Sequence, residues 1–401
     1  MTETDAPRQA DLFAFLKRGA RAALVASALF LAACQSIVPK GPATTPPTGP
    51  TQPTGPEVVQ GLPTDATRHR VALLVPMSGA NAGVGQSIAN ATTLALLDTR
   101  TDKVRITTYD TALGAAAAVN RALADGNQLI LGPLLAEDAR IVGPIAARAN
   151  VPVISFSNDV GVAGGGVYIM GYNPNQSIDR VVDFARSRGL SQFGALVPRG
   201  TYGERAGNAL LRAVQQSGGT VVSMQTFDRS AGSMAAAVKK LQASSSYDAL
   251  LIADSGRVAS QVAVLVRKGG GASARLLGTE LWNTDAALPS SPALRGAWFA
   301  SVSDALYRQL AAKYRARYGT TPFRLSSLGY DAVLLTVRIA QVWKPGTAFP
   351  SARLRDSGGF SGIDGAFRFT RSGVAERALE VSEVGAGSVT VVDAAPRNFA
   401  D

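Results

Sequence analysis

Beyond Arg68, short β-rich runs alternate strictly with alanine-rich amphipathic segments, and that alternation leaves very few architectures open. Val71-Ala72-Leu73-Leu74-Val75 precedes a predicted helix over 85–97, Val104 to Tyr109 precedes a helix around 113–124, and Gln128 to Leu131 precedes a helix over 137–149 and the run Pro152-Val153-Ile154-Ser155. Near-continuous apolar strands, each followed by a helix, predict parallel sheets covered on both faces. The pattern then restarts. Gly194-Ala195-Leu196-Val197, a helix over 202–216, Thr220 to Phe227, a helix over 233–242, Ala249 to Ala253, a helix over 257–267 and Arg275 to Gly278 form a second series of comparable length. About 330 residues suffice for two packed lobes, so the fold class expected is α/β, with two similar parallel-sheet lobes. Tyr307 to Tyr318 reads as a further amphipathic helix, with Leu310, Tyr314 and Tyr318 inward and Arg308, Arg315 and Arg317 outward.

The chain before Arg68 has a different character. Lys17, Arg18 and Arg21 flank an apolar run, Ala22 to Phe30, that is too short to span a bilayer, and Leu31-Ala32-Ala33-Cys34 follows. This order resembles a bacterial lipoprotein signal, with residues 1–33 removed and Cys34, the only cysteine, acylated. A single cysteine also excludes a disulfide within the chain. Gln35, where an aspartate would act as a retention signal, resembles the default routing to the outer membrane. Residues 34–67 then form a tether rich in Pro, Thr and Gly, in which Pro-Thr-Gly-Pro occurs twice. Its prolines forbid a hydrogen-bonded ladder, and its few apolar residues cannot offset the entropy of folding, so it is expected to be disordered. At roughly 3.1 Å per residue it could hold the following domain up to about 100 Å from an anchor. Removal of 1–33 lowers the net charge only from +11 to +10. That basic excess favours acidic surfaces such as anionic lipid or cell-wall polymer, whereas no motif for nucleic acid is present.

The usual catalytic constellations are missing. Gly79 to Ser87 is glycine-rich but lacks the spacing and the lysine of a phosphate-cradling loop. His69, the only histidine, reads as a solvated flank at the tether boundary, and with one imidazole neither a zinc site of the usual composition nor a Ser-His-Asp arrangement is expected. No Gly-x-Ser-x-Gly elbow occurs. The expectation is a non-enzymatic chain without metal or cofactor.

Several segments carry a family likeness in order: Arg70 to Gly79 followed by Gly83-Val84-Gly85-Gln86-Ser87; Leu131-Gly132-Pro133-Leu134-Leu135; Val151 to Asn158; Thr201-Tyr202-Gly203-Glu204; Tyr314, Tyr318-Gly319 and Pro322; Leu328-Gly329-Tyr330-Asp331-Ala332; and Gly365-Ala366-Phe367-Arg368-Phe369. Together they resemble type I periplasmic binding proteins of the Leu/Ile/Val-binding kind over residues 68–395. Gly132-Pro133-Leu134-Leu135, Phe156-Ser157-Asn158, Gly164-Gly165-Gly166 and Leu281-Trp282-Asn283 are most similar to the penicillin-binding protein activator lipoproteins. The resemblance implies two lobes joined by three crossovers around a cleft. Carried onto this chain, residues 68–172 and 299–345 form one lobe and 173–298 and 346–398 the other, with hinges near Tyr172-Asn173-Pro174, near Trp298-Phe299 and after Gln341.

Two lines converge on cleft residues. In parallel α/β lobes ligands bind beyond the carboxyl ends of strands, which places Ser78, Gly79, Ser155 and Ser157 there. The resemblance adds that Ser155 and Ser157 occupy the loop gripping a ligand α-carboxylate, that Tyr202 lines the facing lobe and that Glu280 lies where a carboxylate pairs with a ligand amine. Leu134, Leu135 and Ala136, however, stand where amino-acid binders place a hydroxyl residue after the Gly132-Pro133 turn. Two functions are therefore expected. One is an outer-membrane lipoprotein facing the periplasm that binds and stimulates a class A penicillin-binding protein, a peptidoglycan synthase. The other is the lipid-anchored substrate-binding protein of an ABC importer, closing over an amino acid or similar small polar solute. The activators of this family carry a helical-repeat domain ahead of the binding-protein-like one, and here the tether occupies that place.

Overall fold

A computed structural model describes residues 67–244 and 246–396 together with Phe399, within one compact unit, Gly61–Asp401. The signal, Cys34 and the tether up to Ala66 lie outside the described residues.

The first lobe is built on a five-stranded parallel sheet. Its strands are β1 (His69–Val75), β2 (Val104–Asp110), β3 (Leu129–Leu131), β4 (Val153–Ser155) and β5 (Val167–Ile169), in the order β2-β1-β3-β4-β5. Because successive side chains on a strand point to opposite faces, β1 feeds two cores. Val71, Leu73 and Val75 pack with Ile88 of α1 (Ala82–Thr99), while Ala72 and Leu74 pack with Val119 of α2 (Ala115–Ala124) and Val142 of α3 (Ala136–Arg148). A strand buried on both faces must be apolar throughout, which is why β1 shows no polar alternation.

The second lobe repeats the scheme. Here β6 (Gln192–Pro198), β7 (Thr220–Phe227), β8 (Ala249–Ile252), β9 (Arg275–Gly278) and β10 (Trp298–Ser301) are parallel in the order β7-β6-β8-β9-β10, the same winding as in the first lobe. Helices α4 (Pro174–Ser187) and α5 (Thr201–Gln216) cover one face, and α6 (Ala231–Ser244) and α7 (Gly256–Arg267) the other. The chain then returns to the first lobe. In α8 (Ala305–Tyr318), Leu310 and Tyr314 are buried as their spacing predicts, against Leu94 of α1; Leu328, Ala332 and Leu335 of α9 (Ser326–Ala340) join the Val71 core.

Two expected boundaries shift. Trp298–Ser301 stays in the second sheet, paired with β9 and with β14 (Glu380–Val384), so the crossing follows Ser301. Residues 346–377, expected in the second lobe, pack with the first. Phe349, Leu354, Phe360, Phe367 and Phe369 enter the Val71 core, three of them from a small antiparallel sheet of β11 (Phe360–Gly362), β12 (Gly365–Phe369) and β13 (Ala375–Arg377). The last crossing is at Ala378-Leu379, after which β14 and β15 (Val389–Asp393) extend the second sheet as antiparallel strands. These hairpins carry no strand-helix signature, so which lobe receives them depends on where their aromatic rings find an unfilled core. His69 also departs from expectation. It is the first residue of β1, 5% exposed, and its ring stacks on Trp343 at 3.8 Å rather than standing in solvent.

Candidate functional site

The same glycine device sets the first strand-to-helix turn of each lobe. A Cβ on Gly85 would lie 1.8 Å from the Pro76 carbonyl oxygen, and one on Gly203 would lie 1.6 Å from that of Pro198. Only glycine lets the helix start so close to the strand end, and this brings Ser78 and Tyr202 to the ends of their sheets. Gly132, at φ +90, has the same constraint: its Cβ would fall 2.0 Å from the Leu74 oxygen.

The first-lobe serines are spent on the protein itself. Ser78 Oγ donates to Asp110 at 2.8 Å, and the Met77 N–H donates to the same carboxylate at 2.8 Å. Burial alone would raise the Asp110 pKa, but these donors and the Ala112 N–H outweigh it and hold the carboxyl below its usual range. Gly79, at φ +71, supplies the left-handed residue of that loop. Ser155 Oγ donates to the Pro133 carbonyl at 2.9 Å and accepts from the Ser157 N–H at 3.1 Å, and Ser157 Oγ accepts from the Asp159 N–H at 3.0 Å. Both side chains are buried. The pair shapes the loop, as short hydroxyl side chains commonly do.

Tyr202 and Glu280 meet in the second lobe. Tyr202 Oη lies 2.9 Å from Thr279 Oγ1 and 3.0 Å from Glu280 Oε1, while Ser177 Oγ donates to the other Glu280 oxygen. Burial pushes Glu280 toward its neutral form, against the pull of those donors, and pushes the Tyr202 hydroxyl up as well. A carboxyl group with both oxygens bonded inside its own lobe is poorly placed to take a ligand amine.

One ion pair between the lobes rests on a residue the sequence reading passed over. Asp159, in the loop after β4 and 5% exposed at its side chain, receives Arg205 of α5 at 2.7 Å on one oxygen and Arg140 of α3 on the other. Burial would raise its pKa, but the Gly161 N–H and the two guanidiniums more than compensate and keep it ionised. Arg205 lies one helical turn from Tyr202, so one helix face supplies both the predicted cleft residue and the interlobe bridge.

A second polar cluster sits at the crossovers. Arg324 Nη1 donates to Asp364 at 2.8 Å, to Ser327 at 2.8 Å and to Tyr172 at 3.1 Å, and its Nε lies 3.2 Å from Asp304. Tyr172 Oη also donates to Asp364, and Arg377 Nη2 donates to the Met170 carbonyl at 2.8 Å. Burial disfavours the Asp364 charge, yet Arg324 and Arg377 hold its pKa down. Asp331 is equally buried, and burial together with the Asp364 charge pushes it up to about 7. Tyr172, expected near a hinge, lies at the first crossover between the lobes; Arg324, Arg377 and Asp364 carried no local signal.

A family model described as periplasmic binding protein matches residues 69–388. Among solved structures, a putative branched-chain amino acid ABC transporter protein from Rhodospirillum rubrum is similar at 19% identity and TM-score 0.71, covering 81% of this chain and 100% of that one. The C-domain of LpoA from Haemophilus influenzae, described as a regulator of PBP1A, is similar at 18% identity and TM-score 0.63, covering 80% of this chain and 99% of that domain. A curated relative, the uncharacterized protein RP748 of Rickettsia prowazekii (strain Madrid E), is 21% identical over 173 residues, 43% of this chain; the match spans 46% of that relative's length.

Proposed function

The chain belongs to the periplasmic binding protein family, and we propose that it is a non-catalytic regulator: an outer-membrane lipoprotein, anchored through Cys34 and facing the periplasm, that binds and stimulates a class A penicillin-binding protein. The supporting observation is that the groups expected to grip a solute bond to the protein instead. Ser155, Ser157, Tyr202 and Glu280 satisfy backbone or one another, and Arg205 reaches across to Asp159 at 2.7 Å. A solute receptor leaves donors for its ligand to complete. A domain that supplies its own bridge holds one lobe arrangement, and a preorganised surface loses less entropy on docking to a protein. The likeness to a PBP1A regulator agrees with this reading, and the tether would give the domain the reach to meet a synthase at a distance from its own membrane. Stimulation then requires tighter binding to the active synthase state than to the inactive one.

The test is retention of the chain on an immobilised class A penicillin-binding protein and measurement of synthase rate, in parallel with melting of the chain against amino acids and muropeptides. Retention with a raised rate and a silent solute panel is the expected outcome. A melting shift with an amino acid, and no synthase retained, would overturn the reading in favour of solute capture for an importer.

A further inference from the structure

The three segments that join the lobes converge on one small cavity of about 30 Å³. Tyr172 and Asn173 line it from the first crossover, Ser301 and Val302 from the second, and Arg377 and Leu379 from the third, with Arg324 beside them. Both arginines are almost fully buried, their side chains 9% and 3% exposed, and both are incompletely bonded. Arg324 spends Nη1 on Asp364, Ser327 and Tyr172, but among the described residues its Nη2 has no acceptor. Arg377 spends Nη2 on Met170; its Nε has no acceptor, and its Nη1 is 3.9 Å from Asp364, beyond hydrogen-bond range. A buried donor left without an acceptor is costly, and more so on a charged group.

The acidic groups around the two guanidiniums are Asp364, fully buried between them, Asp331, equally buried beside Asp364, and Asp304, on Arg324 and one-third exposed; Asn173, lining the cavity, has an Oδ1 with no donor among the described residues. Glu280 borders the cavity with both oxygens already accepting from Ser177 and Tyr202, and burial biases it toward neutrality. Space is limited as well. A water needs about 10–15 Å³ of such volume, so a cavity of about 30 Å³ has room for one compact ion or about two waters.

We propose that this cavity is a binding site for a single compact monovalent anion of the chloride class. Held by Arg324 Nη2 and Arg377 Nε, the anion supplies the missing acceptor. Because residues of all three crossovers line the cavity, its occupancy stiffens the joint between the lobes. Of the predicted cleft residues Glu280 borders this site, and the inference holds whether the domain serves a synthase or a solute.

The test is melting of the chain in chloride against gluconate at matched ionic strength and pH, with sulfate as a general salt control, joined to a bromide soak of crystals read by anomalous scattering. The expected result is a rise in Tm of about 2 °C that saturates with chloride or bromide, and a bromide peak within hydrogen-bond distance of Arg377 Nε. Leu379→Phe, which fills the cavity while keeping both charges, should fold by circular dichroism and lose the chloride response. Equal melting in chloride and gluconate, an equal rise with sulfate, or an empty cavity in bromide-soaked crystals would each overturn the proposal. The bromide readout uses the unmodified protein and stands if the variant fails to fold.

Discussion

Arg205 of the second lobe and Asp159 of the first lie 2.7 Å apart, and the ion pair they form closes the interlobe face with the protein's own side chains. Arg140 holds the other Asp159 oxygen, so the carboxylate is clamped from both lobes. The pair is buried at the aspartate and about one-third exposed at Arg205, which puts its worth between that of a surface bridge and a buried one.

Asp159→Asn removes the charge but keeps an oxygen for the Gly161 N–H, which donates to Asp159 at 2.9 Å. The expected loss is about 1–2 kcal/mol at neutral pH, measured by urea unfolding, with faster hydrogen exchange in the loop after β4. The sign with pH follows from the direction of the shift. The folded pKa lies below the ordinary 3.8, so the stabilisation is present above that value and is lost as pH falls through the folded one. The gap between wild type and variant should therefore shrink in acid.

Asp331 should act in the opposite sense. Burial, and the Asp364 charge beside it, push its pKa up to about 7 from 3.8, so the folded chain keeps a proton that the unfolded chain releases. Its contribution makes stability fall as pH rises from about 4 to about 7 and level off above. Asp331→Asn retains an acceptor for the Ile363 N–H, which bonds Asp331 at 2.6 Å, and should flatten that fall. Chemical unfolding of both forms at several pH values reads the difference directly; parallel curves would show that Asp331 does not titrate in this window.

Glycine substitutions separate close approach from mere flexibility. Gly203→Ala forces a Cβ against the Pro198 oxygen and should cost about 1–3 kcal/mol, as overpacking does. Gly232→Ala, in α6 with nothing within 4 Å of the added carbon, should instead gain up to about 1 kcal/mol from helix propensity. Thermal melting of the two variants gives shifts of opposite sign.

Ser155→Ala removes a donor to Pro133 and an acceptor for the Ser157 N–H, and should destabilise the chain by about 1 kcal/mol. If the serine shapes the loop, that loss is the same with and without added leucine. A leucine-dependent difference in melting between wild type and variant would instead mark Ser155 as a ligand contact.

Much of the architecture was legible because it rests on local periodicity. The run Val71 to Val75 is apolar at every position, which only a strand covered on both faces tolerates, and Arg275 to Gly278 is bounded in the structure as it reads in the chain. Around Thr201-Tyr202-Gly203 a helix starts against a strand end, which requires glycine where Gly203 stands. The stretch after Gln341 was misplaced because its short hairpins lack that periodicity: Phe360 and Phe367 belong to the first lobe only through the core that receives their rings.

The sequence by itself determined the α/β class, the two repeated series and the absence of the usual catalytic motifs, because strand and helix periods are written residue by residue. Only the tertiary structure decided how the polar groups are spent. Ser155 could cap a loop or hold a carboxylate, and Glu280 could meet a ligand or Tyr202, and neither alternative changes the local pattern. Asp159 with Arg205, and Asp364 with Arg324 and Arg377, unite charges from distant segments, and such partners are chosen by which side chains the packed lobes bring within a few ångströms of each other.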